Sequence, residues 1–502
     1  MPSLSGLEQL RAAAIDCRTE NVRYRQNEIQ KLHSCLRENA TAILSSISKD
    51  SDGSSSAISL ESEAEYWMTM NAVEEQHDGL DFEASIKQEY LIVTGANNQS
   101  RRIGKGVVVI RPTTHTRFYS IIVPLVTAMA AGSCTALELA DTMLNVDSVL
   151  KDLLPKALDP DTFCIINATL NSQENMFLVD QTAKSGVSPA SQLSSNSSAR
   201  VIAIVDRDAD IEYAAKTIVK ARFSFQGTSP YSPDLIIVNE YIKGEFTEAC
   251  SRYAGKFFPS ASKLIVARNN NFIETKRALK DAEDKGKVTT SGTSVFKIVD
   301  IHDKSCPIIK MKISGYVLPI ISSSSLVDSI NISKLGSDLL ALYTFSDPAT
   351  AKFLSQHLNA LTSFANSIPS HILVGPAAPN TPVSPPHYHK YSTDMFSSPR
   401  PQYITLPAPS SNLALIDDVL ARFHEPAGQS SALVKLRGKV VGKDGKAAKL
   451  LKPKKAQPKG SQLGFFEQGI VLGAGLVLTV VISTVVGGGW VLRRYIDEHR
   501  HL

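Results

Sequence analysis

The chain is poor in cysteine for its length, with six among 502 residues. They are scattered without a short repeated spacing, at Cys17, Cys35, Cys134, Cys164, Cys250 and Cys306. This distribution excludes a CxxC zinc site and a small disulfide scaffold, and it predicts buried free thiols in a reducing compartment. The motifs GxxxxGK[ST] and HExxH are also missing, which excludes a P-loop and a zinc-protease helix. No internal repeat is visible, so a solenoid or a propeller is not expected.

Outside one segment, the chain also lacks an excess of positive charge. The net charge of +4 hides a segment, residues 435–459, that carries +9, whereas residues 460–502 sum to zero and residues 1–434 carry −5. A mildly acidic body argues against nucleic-acid binding, which needs a basic face on the folded part. The first 16 residues lack the apolar core of a secretory signal, so we expect the body in the cytosol.

A long uncharged run lies near the carboxyl end. Residues 469–492 hold 24 residues without a charge, and Arg493 and Arg494 follow directly. About 20 apolar residues cross the hydrocarbon core of a bilayer as a helix. The run therefore predicts a transmembrane helix, with Trp490 at an interface. The hydroxyls of Thr479, Ser483 and Thr484 are expected to bond to carbonyls of their own helix.

Charge on the amino-terminal flank predicts the orientation of this helix. The basic segment 435–459 directly precedes it, and basic flanks stay on the cytosolic side. The same lysines could contact anionic lipid headgroups. We therefore expect a tail-anchored protein whose partners include membrane lipid through the span and the basic stalk. Gly469 and Gly473 form a GxxxG motif, which permits close helix pairing.

The rest of the chain alternates between short apolar runs and helical patterns. The predicted strands are 89–94, 106–110, 134–139, 163–167, 201–206 and 234–239, continued by IIKMKI (308–313), YVLPII (316–321) and LALYTF (340–345). The predicted helices are 5–48, the pattern from Pro124 to Ala131, 146–154 and 209–222. This alternation predicts an α/β fold with a mainly parallel sheet. Residues 184–199 are polar and rich in residues that interrupt helices and strands, and the Pro/Ser-rich residues 376–411 are expected to form a partly ordered surface segment.

Several segments carry a collinear resemblance to one family, namely 104–141, 199–239, MKISGYVLPII (311–321) and LLALYTFS (339–346). They resemble the aldehyde dehydrogenase superfamily, most closely its membrane-anchored fatty aldehyde dehydrogenases of class 3 type, and the resemblance covers residues 7–375. The resemblance implies a Rossmann-type nucleotide-binding-like domain plus an α/β catalytic-like domain. It also implies a nucleophilic cysteine, an oxyanion donor, a carboxylate base and a nicotinamide cofactor.

The residues that the family uses for catalysis are replaced in this sequence. The position of the nucleophile, the fourth residue of the family's GQxC motif, is Pro230, and the position of the oxyanion asparagine is His115. The ELGG motif that carries the base corresponds to residues 193–196, which read LSSN and contain no carboxylate.

The cofactor positions are replaced as well. The lysine that meets the adenosine ribose corresponds to Glu138, and the glutamate that binds the second ribose corresponds to Lys312. The phenylalanine two residues further on corresponds to Ser314, and the glycine-containing phosphate turn falls in LVDQTAKSG (178–186). No cofactor is therefore expected, with NAD or NADP as the alternative.

A substitute active group would have to come from elsewhere in the chain. Cys250 on a predicted helix and Cys134 in a predicted strand could be relocated nucleophiles, but neither has a base nearby in sequence. Ser229 also lacks a base, and His387 and His389 could hold a metal only within a Pro-rich loop. We therefore expect neither a catalytic residue of the family type nor a metal site in this chain.

These observations lead to three hypotheses. The first is a catalytically inactive aldehyde dehydrogenase-like protein that acts as a membrane-bound scaffold or partner-binding subunit. The second is a divergent fatty aldehyde dehydrogenase that oxidises lipid-derived aldehydes with NAD(P). The third is a structural subunit, in a homodimer or in a heterodimer with a paralogue, since the family associates through bridging strands. The endoplasmic reticulum is favoured over the peroxisome and the outer mitochondrial membrane.

The expected domain order follows the resemblance and the composition. It is a degenerate dinucleotide-binding-like domain (1–221), a catalytic-like domain (222–375), a Pro/Ser-rich segment (376–434), a basic stalk (435–464), a transmembrane helix (465–492) and a short tail (493–502).

Overall fold

The protein is described here from a computed structural model that forms two compact units, Met1–Ile404 and Thr405–Leu502. The described residues are 2–52, 59–139, 144–167, 176–183, 191–258, 270–336, 338–379, 390–404, 411–421, 434–436, 438 and 465–498. Most of the predicted stalk, the residues of LVDQTAKSG beyond Ala183, and both His387 and His389 lie outside them.

Helices dominate the first 90 residues. They are α1 (Pro2–Ile15), α2 (Val22–Glu38), α3 (Ala40–Asp52), α4 (Leu60–Asp78) and α5 (Phe82–Glu89). The prediction of one continuous helix over 5–48 was wrong, because the separate helices α1, α2 and α3 cover this range. Cys17 adopts a left-handed conformation (φ 55°), and the Asn21 side chain accepts from the backbone N–H groups of Arg23 and Tyr24 to start α2. Asparagine is a preferred residue at this capping position.

The first sheet has five parallel strands in the order β4-β3-β2-β5-β6. They are β2 (Val107–Arg111), β3 (Cys134–Glu138), β4 (Phe163–Ile166), β5 (Met176–Asp180) and β6 (Gln192–Ser194), with α6 (Arg117–Ala130) and α7 (Asn145–Ala157) as crossovers. The order changes direction between β2 and β5. In such sheets the crevice at this point, beyond the carboxyl ends of the strands, is where ligands bind.

The second sheet has seven strands in the order β13-β12-β7-β8-β11-β10-β9. They are β7 (Arg200–Val205), β8 (Leu235–Asn239), β9 (Val288–Gly292), β10 (Lys297–Ile301), β11 (Val317–Ser323), β12 (Leu339–Phe345) and β13 (Ala360–Ala365). The helices of this region are α8 (Ile211–Phe223), α9 (Lys243–Phe257), α10 (Asn270–Asp284), α11 (Leu326–Ser333) and α12 (Pro348–His357). Only β9 runs antiparallel to its neighbour, which confirms the prediction of a mainly parallel α/β fold.

The central strands are buried on both faces. Every residue of β3, β7, β8 and β12 is buried. Strands that are covered on both faces by helices consist of continuous apolar runs. These runs made the strands predictable from the sequence. At roughly 25 cal/mol per Å² of apolar surface removed from water, these strands are a main source of folding free energy.

Two predicted strands do not form. Residues 89–94 (EYLIVT) lie at the end of α5 and in the turns after it, because Asp81 accepts from the Ala84 N–H and starts a helix that overrides the β propensity of the run. IIKMKI contains a 3-10 turn, Pro307–Lys310, instead of a strand. Conversely, β6 forms within residues 184–199, for which the sequence indicated no strand.

The change of sheet does not coincide with the expected domain boundaries. Because β7 pairs with β8 and β12, the second sheet begins at Arg200 and not after residue 221. A separate antiparallel ribbon joins β1 (Arg102–Gly104) to β14 (Ser397–Pro399). Part of the expected Pro/Ser-rich segment therefore belongs to the first unit.

The second unit contains α13 (Ser411–Ala421) and the 34-residue α14 (Phe465–Glu498). Among the described residues, one helical stretch is long and apolar enough to cross a membrane, Gly469–Trp490, with a mean hydropathy of 2.4. As expected, Thr479 Oγ1 donates to the Gly475 carbonyl (2.6 Å), and Ser483 Oγ to the Thr479 carbonyl (2.8 Å). These hydroxyls therefore add no unsatisfied polar group to the candidate span.

Candidate functional site

A cavity of about 800 Å³ lies between the two sheets of the first unit. One wall is formed by the carboxyl ends of β2 and β3, and the opposite wall by the loops that precede β8 and β11. Five of the positions that the resemblance marks as altered line it, namely His115, Glu138, Pro230, Lys312 and Ser314, as do Gln181 and Thr182 of the predicted phosphate turn. The predicted base stretch, residues 193–196, is not among the residues that line it. The structure thus brings together residues that are up to 199 positions apart in sequence.

The loop that carries Pro230 has an unusual backbone. Phe225 (φ 51°), Gln226 (φ 57°) and Gly227 (φ 62°) are left-handed in succession. At Gly227 a Cβ would lie 2.3 Å from the Gly315 carbonyl oxygen, so only glycine fits there. The loop is held from both sides: Glu61 Oε1 accepts from the Phe225 N–H (2.7 Å), and Arg222 Nη2 donates to the Gly227 carbonyl (3.0 Å).

His115 is held by the protein through both ring nitrogens. Its Nε2 lies 2.8 Å from the Leu373 carbonyl oxygen, which can only accept, so Nε2 carries the proton. Nδ1 lies 2.9 Å from Thr228 Oγ1. Burial lowers the pKa of His115 to about 3, so the ring is neutral at physiological pH. Both nitrogens have partners within the protein, and neither is left to donate to a ligand.

Pro230 is held in place by a lysine from the loop that precedes β11. Lys312 Nζ donates to the Pro230 carbonyl (2.5 Å) and to Asp234 Oδ2 (2.9 Å). Burial lowers the pKa of Lys312, while the neighbouring Asp234 acts in the opposite direction. Asp234 also accepts from the Ile313 N–H (3.0 Å), so one carboxylate fixes both the lysine and its loop.

Ser314 is the exception in this well-bonded environment. Its N–H donates to Thr275 Oγ1 (3.2 Å), but its Oγ is buried and has no hydrogen-bond partner among the described residues. The residue is only 4% exposed. Buried hydroxyls are normally bonded, so this oxygen is an exception among the described residues around the cavity.

At the other end of the cavity, Glu138 belongs to an ion cluster. Arg111 Nε donates to Glu138 Oε2 (2.9 Å), and Arg111 Nη1 to Asp180 Oδ2 (3.3 Å). These three residues end the adjacent strands β3, β2 and β5. The cation at this edge of the sheet is thus an arginine on β2, and the residue on β3 is its carboxylate partner.

Three further carboxylates line the cavity and were missed by the sequence analysis. Glu65 on α4 accepts from the Tyr119 N–H (3.1 Å) at the start of α6, where Thr116 provides no side-chain cap. Asp50 on α3 accepts from the N–H groups of Asn145 (2.8 Å) and Val146 (3.0 Å) at the start of α7. Glu61 is the third, four residues before Glu65, a spacing that places both on one helix face and could have drawn attention to them.

Burial raises the pKa of Glu65 to about 7, with backbone hydrogen bonds acting in the opposite direction. A carboxyl whose folded pKa lies above its unfolded value supplies stability that is complete below about pH 4.5 and lost as the pH rises through 7. We expect Glu65→Gln to stabilise the protein at pH 8 relative to pH 5, by about 3 kcal/mol between the two. Denaturant unfolding followed by Trp67 fluorescence at both pH values measures this difference.

The matched control is Glu63→Gln, an exposed position on the same helix. This substitution should leave the pH dependence of the free energy of unfolding the same as in the unchanged protein. An equal effect of Glu65→Gln at pH 5 and pH 8 would contradict the assignment.

The alternative thiols do not lie at this site. All six cysteines are free, but Cys17 is exposed and Cys35 and Cys164 are only partly buried, so the expectation of buried thiols was wrong for these three. Neither Cys134 nor Cys250 lines the cavity, and burial raises the pKa of both thiols, that of Cys134 to about 11. A thiol with a raised pKa holds little of the reactive thiolate. Ser229 is buried and donates to the Leu373 carbonyl (2.7 Å).

No family model matches the chain. Curated relatives do: the dimeric NADP-preferring aldehyde dehydrogenase of Mus musculus is 24% identical over 54% of this chain and 64% of its own length. Aldehyde dehydrogenase family 3 member B2 of Mus musculus is 24% identical over 80% of this chain and 88% of its own length. Among solved structures, the substrate-bound state of Staphylococcus aureus AldH superposes with a TM-score of 0.65 at 18% identity, covering 86% of this chain and 98% of that one. The chain is therefore similar in sequence to aldehyde dehydrogenases of family 3, and it has the aldehyde dehydrogenase fold.

The match to some relatives is partial. The chain spans just under two thirds of the length of the dimeric NADP-preferring enzyme (64%) and of family 3 member A2 of Rattus norvegicus (66%). The superposition confirms the aldehyde dehydrogenase fold, with its α/β architecture and parallel sheets.

Proposed function

We propose that this protein is a catalytically inactive aldehyde dehydrogenase-like protein that acts as a membrane-bound scaffold or partner-binding subunit. One observation carries the proposal. Pro230, at the position that the resemblance assigns to the nucleophile, has no reactive group, and its carbonyl is bonded to Lys312. Cysteine is absent from the residues that line the cavity. Covalent aldehyde oxidation needs a thiolate at this place.

The residues present do not fit a nicotinamide dinucleotide. Glu138 places a carboxylate where the resemblance implies a cation, and it is paired with Arg111. Lys312 is bonded to Asp234 where the resemblance implies a ribose-binding glutamate. Carboxylates near a pyrophosphate or a 2′-phosphate oppose binding by like-charge repulsion. We therefore propose that NAD(P) is not a cofactor of this protein.

The candidate span and the basic segment support a tail-anchored arrangement. We propose that α14 anchors the protein, that residues 435–459 lie on the cytosolic side, and that the body faces the cytosol. The endoplasmic reticulum is our favoured membrane.

A second candidate function is a divergent membrane fatty aldehyde dehydrogenase that uses NAD(P). Two observations favour it: relatives of this chain are named as aldehyde dehydrogenases, one as NADP-preferring, and a cavity of about 800 Å³ is lined by positions to which the resemblance assigns catalysis and cofactor binding. The third candidate, a structural subunit in a dimer, is separated from the first by co-purification with a paralogue.

The cofactor proposal is tested by thermal unfolding with millimolar NAD and NADP. A ligand at 100 times its Kd adds about 2.7 kcal/mol to the free energy of unfolding. We expect the melting temperature to be unchanged at every concentration of either dinucleotide. A saturable rise would contradict the proposal, and NAD(P)H formation with a long-chain aldehyde would then establish the second candidate.

A further inference from the structure

Exposed apolar side chains gather at one place on the first unit, which we call the ribbon patch. It consists of Ile86, Tyr90, Val93, Tyr403 and Ile404, which are between 37% and 79% exposed. These residues come from the end of α5, the turns after it and the stretch that follows β14. A group of exposed apolar side chains of this kind marks a contact with a membrane or with another protein.

Hydrogen bonds join the two parts of the ribbon patch. Asn98 Nδ2 donates to the Gln88 carbonyl (2.9 Å), and the Ile404 N–H donates to Asn97 Oδ1 (2.9 Å). The backbones of Asn98 and Gln402 also bond to each other in both directions (2.9 and 2.7 Å). The apolar residues of α5 and those after β14 therefore belong to one surface that the fold itself holds in place.

Two arginines lie opposite each other on the β1–β14 ribbon beside this patch. The Arg400 N–H donates to the Arg101 carbonyl (2.8 Å), which continues the register that pairs Arg102 with Pro399. Side chains directly opposite in an antiparallel pair lie on the same face, and like charges there are destabilising. In the part of the chain that the structure describes, neither Arg101 nor Arg400 forms an ion pair. An external anion would therefore relieve the repulsion between them.

The charge of this region is opposite to that of the rest of the body. Residues 84–105 and 397–404 hold five basic residues and one acid, Glu89, a net charge of +4, whereas residues 1–434 carry −5 in total. The ion pair of Arg102 with Asp394 reduces the local charge to +3. Exposed tyrosines next to arginines suit the headgroup region of a bilayer, where aromatic rings lie at the interface and arginines bind phosphate.

The place of the ribbon patch in the chain favours a lipid surface over a soluble partner. The first unit ends in this patch at Ile404, and the sequence continues to the basic segment 435–459 and the candidate span Gly469–Trp490. A chain that is anchored in a bilayer keeps that bilayer at a high effective concentration. A contact through a few apolar side chains and two arginines, too weak to act alone, is then sufficient.

We propose that the ribbon patch docks the first unit on the surface of the membrane that anchors the chain. Tyr90, Tyr403 and Ile404 lie at the interface, and Arg101 and Arg400 bind the phosphates of anionic lipids, which give the cytosolic leaflet its negative charge. The proposal rests on the proposed anchoring by α14. Because salt screens the arginines, docking should weaken as the ionic strength rises.

The test uses the full chain reconstituted in vesicles of phosphatidylcholine, with or without phosphatidylserine. The two natural tryptophans are replaced (Trp67→Phe and Trp490→Phe), and Tyr403→Trp adds a fluorescent reporter to the patch. Lipids brominated in their acyl chains quench a tryptophan that contacts the bilayer. We expect quenching of this reporter in vesicles that contain phosphatidylserine, and loss of the quenching in high salt.

The matched control is Tyr241→Trp in the same background. Tyr241 follows β8, outside the ribbon patch, and is 82% exposed, so a reporter there is at least as accessible to solvent. Its emission should not be quenched by the brominated lipids. Equal quenching at both positions would overturn the proposal.

Arg400→Glu separates a lipid contact from a structural role. The substitution places opposite charges across the ribbon, so the melting temperature in detergent micelles should be unchanged or raised. Quenching of the Tyr403→Trp reporter in phosphatidylserine vesicles should be lost, because a carboxylate repels anionic headgroups. A lower melting temperature together with unchanged quenching would overturn the role of the arginines.

The remaining outcomes separate the docking from the anchoring on which it rests. If the chain resists extraction from the vesicles by alkaline carbonate and the Tyr403→Trp reporter is not quenched, the docking is wrong and the anchoring stands. If carbonate extracts the chain, the anchoring is wrong. A dimer in detergent micelles that Arg400→Glu dissociates would assign the ribbon patch to a second copy of the chain and overturn the lipid contact.

Discussion

The variant Pro230→Cys should form no detectable NAD(P)H from a long-chain aldehyde, although it restores the family thiol. The new cysteine would line the same cavity as His115, which is neutral and bonded through both ring nitrogens, so this side chain is not free to donate to an oxyanion. Loss of one such donor costs about 100–1000-fold in rate. The family base position, residues 193–196, holds no carboxylate, so a thioester would persist.

Absorbance at the wavelength of the reduced nicotinamide measures this outcome, with the unchanged protein alongside. Labelling by a thiol reagent tests whether the new cysteine is accessible. If it is labelled, the lack of activity is due to the missing donor and base and not to an inaccessible thiol. Aldehyde oxidation by the unchanged protein, abolished by substitution of Cys250 or Cys134, would show that a relocated nucleophile exists and that the protein is an enzyme.

A chain that ends after residue 460 should pass from the membrane pellet to the soluble fraction. The deletion removes the only stretch of the described chain that is apolar and long enough to cross a bilayer, Gly469–Trp490. The retained lysines each contribute about 1 kcal/mol of attraction to an anionic surface. Because salt screens this attraction, release should be partial at low ionic strength and complete at high ionic strength.

The matched control is the full-length variant Val481→Arg, which leaves the stalk intact and places a charge in the middle of the apolar stretch. Such a charge costs about 2.5–3.5 kcal/mol at the centre of a membrane helix, so insertion should fall without being abolished. If the truncated chain still sediments with membranes in high salt, α14 is not the sole anchor.

The buried strands were the most predictable part of the fold. Runs such as 201–206 and 234–239 are apolar throughout because helices cover both faces of a parallel sheet. EYLIVT (89–94) misled the prediction because its β propensity is outweighed by the helix start at Asp81. Local composition does not reveal which of two such signals is used in the fold.

For the cavity, collinear motifs located His115, Pro230 and Lys312, but not the groups that hold them. The pairing of Lys312 with Asp234 joins positions 78 residues apart and depends on tertiary structure. Glu61 and Glu65 belong to a helix whose many charges predict exposure to solvent. The packing of α4 against α6 places them at the cavity instead. The location of the site could therefore be predicted from the sequence, whereas the hydrogen bonds and ion pairs that determine its chemistry depend on the tertiary structure.

The Arg111–Glu138–Asp180 cluster also bears on how this protein could change over evolutionary time. Reverting Glu138 to the lysine that the resemblance implies would place two cations on neighbouring strands, with Asp180 as their shared partner. Like charges directly opposite each other in a sheet are destabilising. A return to the family pattern therefore needs at least two substitutions, at positions 111 and 138, and the first of them lowers stability. An exchanged charge pair of this kind is a barrier to reversal, so we expect the arrangement around Glu138 to persist under mutation.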